Sequence, residues 1–350
     1  MTVCLFGNYI KDYPRITTIR QGLEWNGVQV LECQTRKTGI RKYFDLWRRH
    51  RQLRGKYDIM IVMMGGQTIV PFAKILTRKK IIFDAFASLY LSEVVDRKKA
   101  DPGSFRARKL RFWDRFPCQL ADQVLLDTEA QIDYFVEQYH LPKNKFERLL
   151  ITCDDQIFHP QKSENKKDKF IIHWHGYIVP FHGIEIILKT AKILESEKDI
   201  EFQIITRFDT KFEKIRKKSE EMNLKNIKFF EEVSLREMAH KINEADISLG
   251  VFGDNQKTQV VIPNKIIEGI ACAKPVITGD SRAVRELFKN NENICLVDLE
   301  NSKELAGKIL ELKNNPEKRN KIIENGYQLF LDQLKQDKIM NNFLKKLKNN

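Results

Sequence analysis

"PNKIIEGIACAKPVITGD" (263–280) holds a polar turn, a short run of small and apolar residues at helical spacing, and a buried-type strand with almost no polar break between them. A helix feeding directly into an apolar strand is half of a βαβ unit, and the same alternation extends in both directions. Around it the sequence predicts strands at 170–175, 201–206, 227–230, 246–251, 275–278 and 293–297, with helices at about 183–196, 210–223, 235–244, 264–273, 281–289 and 302–313. Upstream, strands are expected at 2–6, 28–33, 58–64, 80–86, 122–127 and 146–152, separated by amphipathic helices such as Ile16 to Gly27. Apolar strands that alternate with helices imply parallel sheets covered on both faces.

Residues 154–169, "DDQIFHPQKSENKKDK", lose the apolar pattern and read as a linker. The expected organisation is therefore an α/β chain of two Rossmann-like, doubly wound parallel-sheet domains facing a cleft. The first spans 1–153 and the second 170–325. Residues 326–350 read as a closing helix with a basic end that packs back on the first domain.

The 350 residues are 42% hydrophobic and 31% charged, enough for two ordinary cores. No run of about 18 apolar residues occurs, so no spanning helix is expected. "MTVCLFGNYI" reads as a first buried strand rather than a leader. Six cysteines stand without any C-x-x-C pair, which reads as reduced thiols in a cytoplasmic protein. The net charge is +14, and between Arg36 and Arg115 there are 21 Lys and Arg against 7 Asp and Glu. This basic segment suits an anionic partner, such as a membrane surface or a phosphorylated acceptor; no nucleic-acid reading motif accompanies it. "IRKYFDLWRRHRQLR" (40–54) is a basic amphipathic helix. Its stripe of Ile40, Tyr43, Phe44 and Trp47 reads as packing on the sheet, while the arginines leave a peripheral membrane role open.

Ligands in open α/β sheets bind at the carboxyl ends of strands. In the first domain this places Gly7 and Asn8, the "MMGGQT" turn, and Asp84 with its neighbour Ser88 at candidate positions. In the second domain, Gly176 permits close backbone approach after the first strand, Gly183 opens the next helix, and Tyr177 and His182 lie between them. Arg207 follows the next strand, and Lys257 lies in the loop after "ADISLGVFG". Pro263 suits a helix start, where Asn264 and Lys265 would offer N–H groups and a cation to a phosphate. Glu268, one turn on, would accept from a ribose diol. The plain alternative is a surface Lys–Glu pair.

In the order of its motifs, the second half resembles the donor domain of GT-B glycosyltransferases of family 4, the retaining group. The resemblance runs through the Gly-turn, "NIKFFEEVSLREMAHKINEADISLGVF" and "VIPNKIIEGIACAKPVITGDSRAVREL", over about 170–325. The first half is similar to one subgroup's acceptor domain through "LFGNYIKDYPR", "IIFDAFASLY" and "ADQVLLDTEAQIDYF". The resemblance implies that Glu268 binds the donor ribose, that Lys265 binds the diphosphate, and that the loop at Val233 lies against the base. It also implies an acceptor-positioning role for Asp84.

Two departures stand out. Val260 occupies the place of a glutamate common in the family, and Tyr177 and His182 replace an Arg and a Lys. Arg207, Lys257 and Lys265 are expected to substitute as diphosphate cations, with Asp84, Lys265 and Arg207 as the catalytic set. The reaction implied by the resemblance is a retaining transfer of sugar from a UDP- or GDP-linked donor to a glycan or lipid-linked acceptor, without metal or cofactor, in cell-surface polysaccharide or glycolipid synthesis. No Asp-x-Asp motif is present. The competing readings are a GT-B nucleotide-sugar epimerase and a non-catalytic nucleotide-sugar-binding or membrane-docked subunit.

Overall fold

The computed structural model describes residues 1–11, 13–162 and 168–349. Asp12 of the first loop and 163–167 of the expected linker lie outside the described residues. The chain divides into two compact units, Met1–Asp154 with Lys335–Asn350, and Asp155–Leu334.

Unit 1 is built from β1 (Thr2–Gly7), α1 (Pro14–Trp25), β2 (Gln29–Gln34), α2 (Arg41–Leu53), β3 (Ile59–Val62), α3 (Val70–Leu76), β4 (Lys80–Phe86), α4 (Phe105–Leu120), β5 (Gln123–Leu126), α5 (Glu129–Tyr139) and β6 (Phe146–Arg148). Its six strands lie in the order β2-β1-β3-β4-β5-β6, and all recorded pairings are parallel. Helices cover the strands on both faces, so β3 reads as an unbroken apolar run, "IMIV".

Unit 2 comprises β7 (Phe170–His175), α6 (Ile184–Ile193), β8 (Ile200–Thr206), α7 (Thr210–Glu221), β9 (Ile227–Glu231), α8 (Leu235–Glu244), β10 (Ile247–Leu249), α9 (Asn264–Ala271), β11 (Val276–Gly279), β12 (Cys295–Val297), α10 (Ser302–Asn314) and α11 (Pro316–Leu329). The strand order is β12-β11-β10-β7-β8-β9, again parallel. Each unit is thus a Rossmann-like doubly wound sheet. The strand order reverses between β1 and β3 in one and between β7 and β10 in the other, the crevice where such sheets hold ligands. Some helix starts are capped by side chains. Ser234 accepts from the N–H of Glu237, and Thr128 from that of Gln131.

Three expectations change. Residues 281–289 form only a short 3-10 turn at Val284–Glu286. Ser281 Oγ accepts from the N–H of Val284, and Asn293 Oδ1 from that of Lys289, so side chains stand in for a helical ladder. Residues 326–350 are not one helix. A π-turn at Phe330–Leu334 intervenes before α12 (Gln336–Asn349). Phe330 and Leu334 are buried with unit 2, whereas Ile339, Met340, Phe343 and Leu344 belong to the core of unit 1. The widened turn lets consecutive residues serve two cores.

The third change concerns α2. Leu46 and His50 face inward, and His50 Nε2 lies 2.7 Å from the Tyr57 hydroxyl. The expected inward stripe is therefore rotated out: Phe44 is 65% exposed, Ile40 84% and Trp47 39%. Tyr43 of that stripe packs edge-on against Phe72 of α3. All six cysteines are buried. Among the described residues, no helix is long and apolar enough to cross a membrane.

Gly22 of α1 lies flush against α12, where a Cβ would stand 2.2 Å from Met340 Cγ. Gly22→Leu should overpack this seam, at about 1–3 kcal/mol, and lower the thermal midpoint monitored by circular dichroism. An unchanged midpoint would show that the seam is not tightly packed.

Candidate functional site

The carboxyl end of β7, at the strand-order reversal of unit 2, gathers the main candidate residues. Gly176 leaves the strand at φ +135°, a conformation that favours glycine. A Cβ there would lie 2.9 Å from Lys265 Nζ and 3.3 Å from His182 Cε1. Gly183 is equally constrained. At φ +67°, a Cβ would stand 2.5 Å from the Gly253 nitrogen, so the turn after β7 fits against the loop after β10.

Lys265 sits in the first turn of α9 and is only 4% exposed. Its ammonium lies 4.2 Å from the centroid of the buried Trp174 ring and has no hydrogen-bond acceptor. Burial pushes its pKa well below the ordinary lysine value, and the charge of Glu268 only partly opposes this. Pro263 is extended and precedes the helix rather than opening it, and no side chain caps the first turn. Asn264 is half-buried there.

Glu268 is buried one turn along and accepts a 2.7 Å contact from His175 Nε2. His175 Nδ1 lies 2.9 Å from His173 Nε2, and His173 Nδ1 lies 3.0 Å from Gln203 Oε1. Burial, then the neighbouring His175, pushes the pKa of His173 down to about 3. His182 Nδ1 donates to the Tyr177 carbonyl. Burial and the charge of Lys265 hold this imidazole well below its usual range, and Lys257 acts in the same direction. Lys257 Nζ lies 4.3 Å over the Phe181 ring. The cluster therefore combines a buried cation, a second cation beside it, backbone N–H groups and a carboxylate. These are the elements that bind a phosphate next to a diol.

The remaining candidates fall elsewhere. Arg207 is exposed after β8, and its charge bears on the Tyr177 hydroxyl, which donates to Glu232 at 3.1 Å. This ties the Gly176 turn to the loop carrying half-buried Val233. Val260, buried, offers no carboxylate where the family commonly has one. In unit 1, Gly7 ends β1 at φ +149°, and Asn8 donates to the Lys37 carbonyl.

The expectation for Asp84 is corrected. Its carboxylate is fully buried and held by Arg15, with Nη2 at 2.9 Å, while Arg15 Nη1 donates to the Leu149 carbonyl. This carboxylate is consumed by a structural ion pair and is not presented to a ligand. Ser88 is likewise structural, donating to buried Asp114 at 2.6 Å. The sequence reading missed the row from Glu268 to Gln203. Its available signal was "HWH", two histidines two residues apart on one strand face.

The family model for glycosyl transferases group 1 matches residues 155–329, half of the chain and nearly all of unit 2. The chain belongs to the group 1 glycosyl transferases. It is similar to an uncharacterized glycosyltransferase of Methanocaldococcus jannaschii, 25% identical over 233 residues. That match covers 59% of this chain and spans only 60% of the relative's length. Among solved structures, this group 1 chain resembles sucrose-phosphate synthase from Thermosynechococcus elongatus, with TM-score 0.79 and 12% identity over 99% of this chain and 98% of that one. It also resembles Anabaena HepE in complex with UDP, with TM-score 0.74 and 14% identity over the whole of both chains. These likenesses establish the GT-B fold.

Two buried cations should respond oppositely to removal. Lys265→Met deletes an ammonium that has no acceptor and should raise the thermal midpoint. Arg15→Met strands the Asp84 carboxylate and should cost about 3–5 kcal/mol. Calorimetric melting decides both, and equal signs would contradict the assignment of the two charges. Acid should also weaken the fold. The unfolded chain protonates its histidines near about 6.5, whereas folded His173 resists until about 3. Stability is therefore lost as pH falls through that window, which urea titrations at neutral and mildly acid pH would register as a falling midpoint.

Proposed function

We propose that this chain is a retaining glycosyltransferase of family 4 that moves a sugar from a nucleotide-sugar donor, UDP- or GDP-linked, to a hydroxyl of a glycan or lipid-linked acceptor. The observation that carries this reading is the Lys265 ammonium, buried without an acceptor beside Gly176 and one turn from Glu268. A diphosphate would supply the missing acceptors, and a buried site makes that charge pairing strong. The Gly176 backbone admits a phosphate oxygen where any side chain would collide with Lys265. Glu268, oriented by His175, would accept from the ribose hydroxyls. The complex of HepE with UDP supports a nucleotide in this fold.

In the transfer step, negative charge grows on the leaving diphosphate. Lys265, Lys257 and the start of α9 are placed to stabilise it, with Arg207 at the exposed rim. This cationic set serves in place of a divalent metal, and activity should persist in excess EDTA. The leaving phosphate would take the acceptor's proton on the same face of the sugar, which retains configuration and needs no nucleophile from the enzyme. Buried Asp84 and apolar Val260 favour one other reading, a nucleotide-sugar binder without transferase activity.

A second part of the proposal concerns where the chain works. Exposed Ile40 at the start of α2, and Phe44 and Trp47 on it, neighbour the exposed Arg48, Arg49 and Arg51. Apolar wedges among cations suit an anionic membrane surface, where a lipid-linked acceptor would be met. The setting would be peripheral, on the cytoplasmic leaflet, in polysaccharide or glycolipid synthesis.

UDP or GDP should raise the thermal midpoint of the wild type but not of Lys265→Met. Binding should also take up protons, because a phosphate restores the charge that burial suppresses on Lys265; calorimetry in buffers of different ionisation enthalpy measures this. Retained affinity in Lys265→Met would refute the site. Turnover of a nucleotide sugar separates the transferase from the binder. Co-sedimentation with phosphatidylglycerol vesicles should be lost in Phe44→Ser/Trp47→Ser, and persistent binding would remove the membrane role.

A further inference from the structure

The row Gln203–His173–His175–Glu268 reaches from the middle of the second sheet to the donor-site carboxylate. His173 and Gln203 are direct cross-strand partners on β7 and β8, and His175 lies two residues on, along the same face. All four side chains are buried, and three contacts of 3.0, 2.9 and 2.7 Å join them end to end. The row ends on the carboxylate of α9.

Its proton count is fixed by geometry. With Gln203 presenting Oε1, His173 carries its proton on Nδ1 and exposes a bare Nε2. His175 must then donate from Nδ1, and its Nε2 also faces an acceptor, Glu268. That arrangement holds an imidazolium at His175 against a carboxylate. If the Gln203 amide turns to present its NH2 group, every bond between Gln203 and His175 reverses. His173 then donates from Nε2, His175 keeps one proton on Nε2, and one proton leaves to solvent. His173 stays neutral in both arrangements, in keeping with its depressed basicity. Glu268 keeps its donor in both, but the His175–Glu268 pair is neutral in the first and carries one negative charge in the second.

We infer that His173, His175 and Gln203 form a reversible proton-holding relay that positions Glu268 and sets the charge it presents to an incoming nucleotide diphosphate. The inference rests on the proposed donor site. Other titratable groups around the row are Lys265 on α9, Cys272 just past its end, Lys241 on α8 and His182 in the turn after β7. None of them interrupts the three contacts. The extra proton favours anion binding, so affinity should fall as pH rises through the range where the relay lets it go. The relay's single proton contributes at most about tenfold per pH unit, and comparing the wild type with Gln203 variants separates it from the uptake at Lys265.

Gln203 provides the test, because it lies two histidines away from Glu268. Gln203→Glu can only accept, so it should lock the proton-rich arrangement and move the midpoint of UDP affinity against pH upward by about one unit. His175→Asn should weaken UDP about tenfold and erase the difference between Gln203 and Gln203→Glu. In the ligand-free protein, imidazole 15N spectra should show His173 exchanging its proton from Nδ1 to Nε2 as pH rises, in step with His175. Gln203→Leu should abolish that exchange while the fold, monitored by circular dichroism, is kept. Independent titration of the two rings, or superimposable UDP profiles for the wild type and Gln203→Glu, would overturn the relay. If the tautomer exchange is seen but UDP binds at no pH, the proton relay stands and the donor-site reading fails.

Discussion

An ammonium group placed against an indole face, with no oxygen to receive its protons, organises the second unit. Lys265 could relieve its desolvation by extending into water, but its position in the first turn of α9 and the close approach of Gly176 keep it over Trp174. Trp174 is in turn fixed by a bond from its indole nitrogen to the Gly250 carbonyl, at the end of β10. Two adjacent strands, the turn after one and the helix after the other thus converge on a single charge. The fold tolerates that group only by depressing its basicity, and under the proposed function a bound diphosphate would make the charge favourable. Stability and binding are set against each other at one residue.

The two units treat buried charge differently. In unit 1, Arg15 and Asp84 neutralise one another, with spare donors turned to backbone carbonyls, and the pair stiffens the end of the sheet. The register slips between Asp84 and Phe86, whose φ is +59°, so the backbone beside this pair is strained as well. In unit 2, the cation has no such partner and the nearby carboxylate is held by a histidine instead. One sheet end thus carries a satisfied buried pair and the other a buried amine with no acceptor.

Much of this was legible in the sequence. Most of the described strands arise from apolar runs bounded by turn residues, with β6 (Phe146–Arg148) an exception, and the αβ alternation points to parallel sheets. Lys265 and Glu268 were readable because a cation in a first helical turn opposes the helix dipole and needs an outside reason. Asp84 misled, since a strand-end carboxylate looks the same whether its partner is a ligand or an arginine 69 residues away in the chain. On α2, composition gave an amphipathic helix but not its rotation, because Asp45, Leu46 and His50 compete with the aromatics for the inner face and contacts from other elements, Tyr57 to His50 and Thr35 to Asp45, decide it. The histidine row required pairing of β7 with β8, which spacing within one strand does not contain.

The return of α12 to the first unit carries a consequence for biogenesis. Ile339, Met340, Phe343 and Leu344 fill a core whose other walls come largely from β1, α1 and β3. During synthesis β1 and α1 are made long before α12, so the apolar face of α1 that α12 covers stays open until α12 follows. A chaperone acting on the nascent chain would find its longest-lived target there.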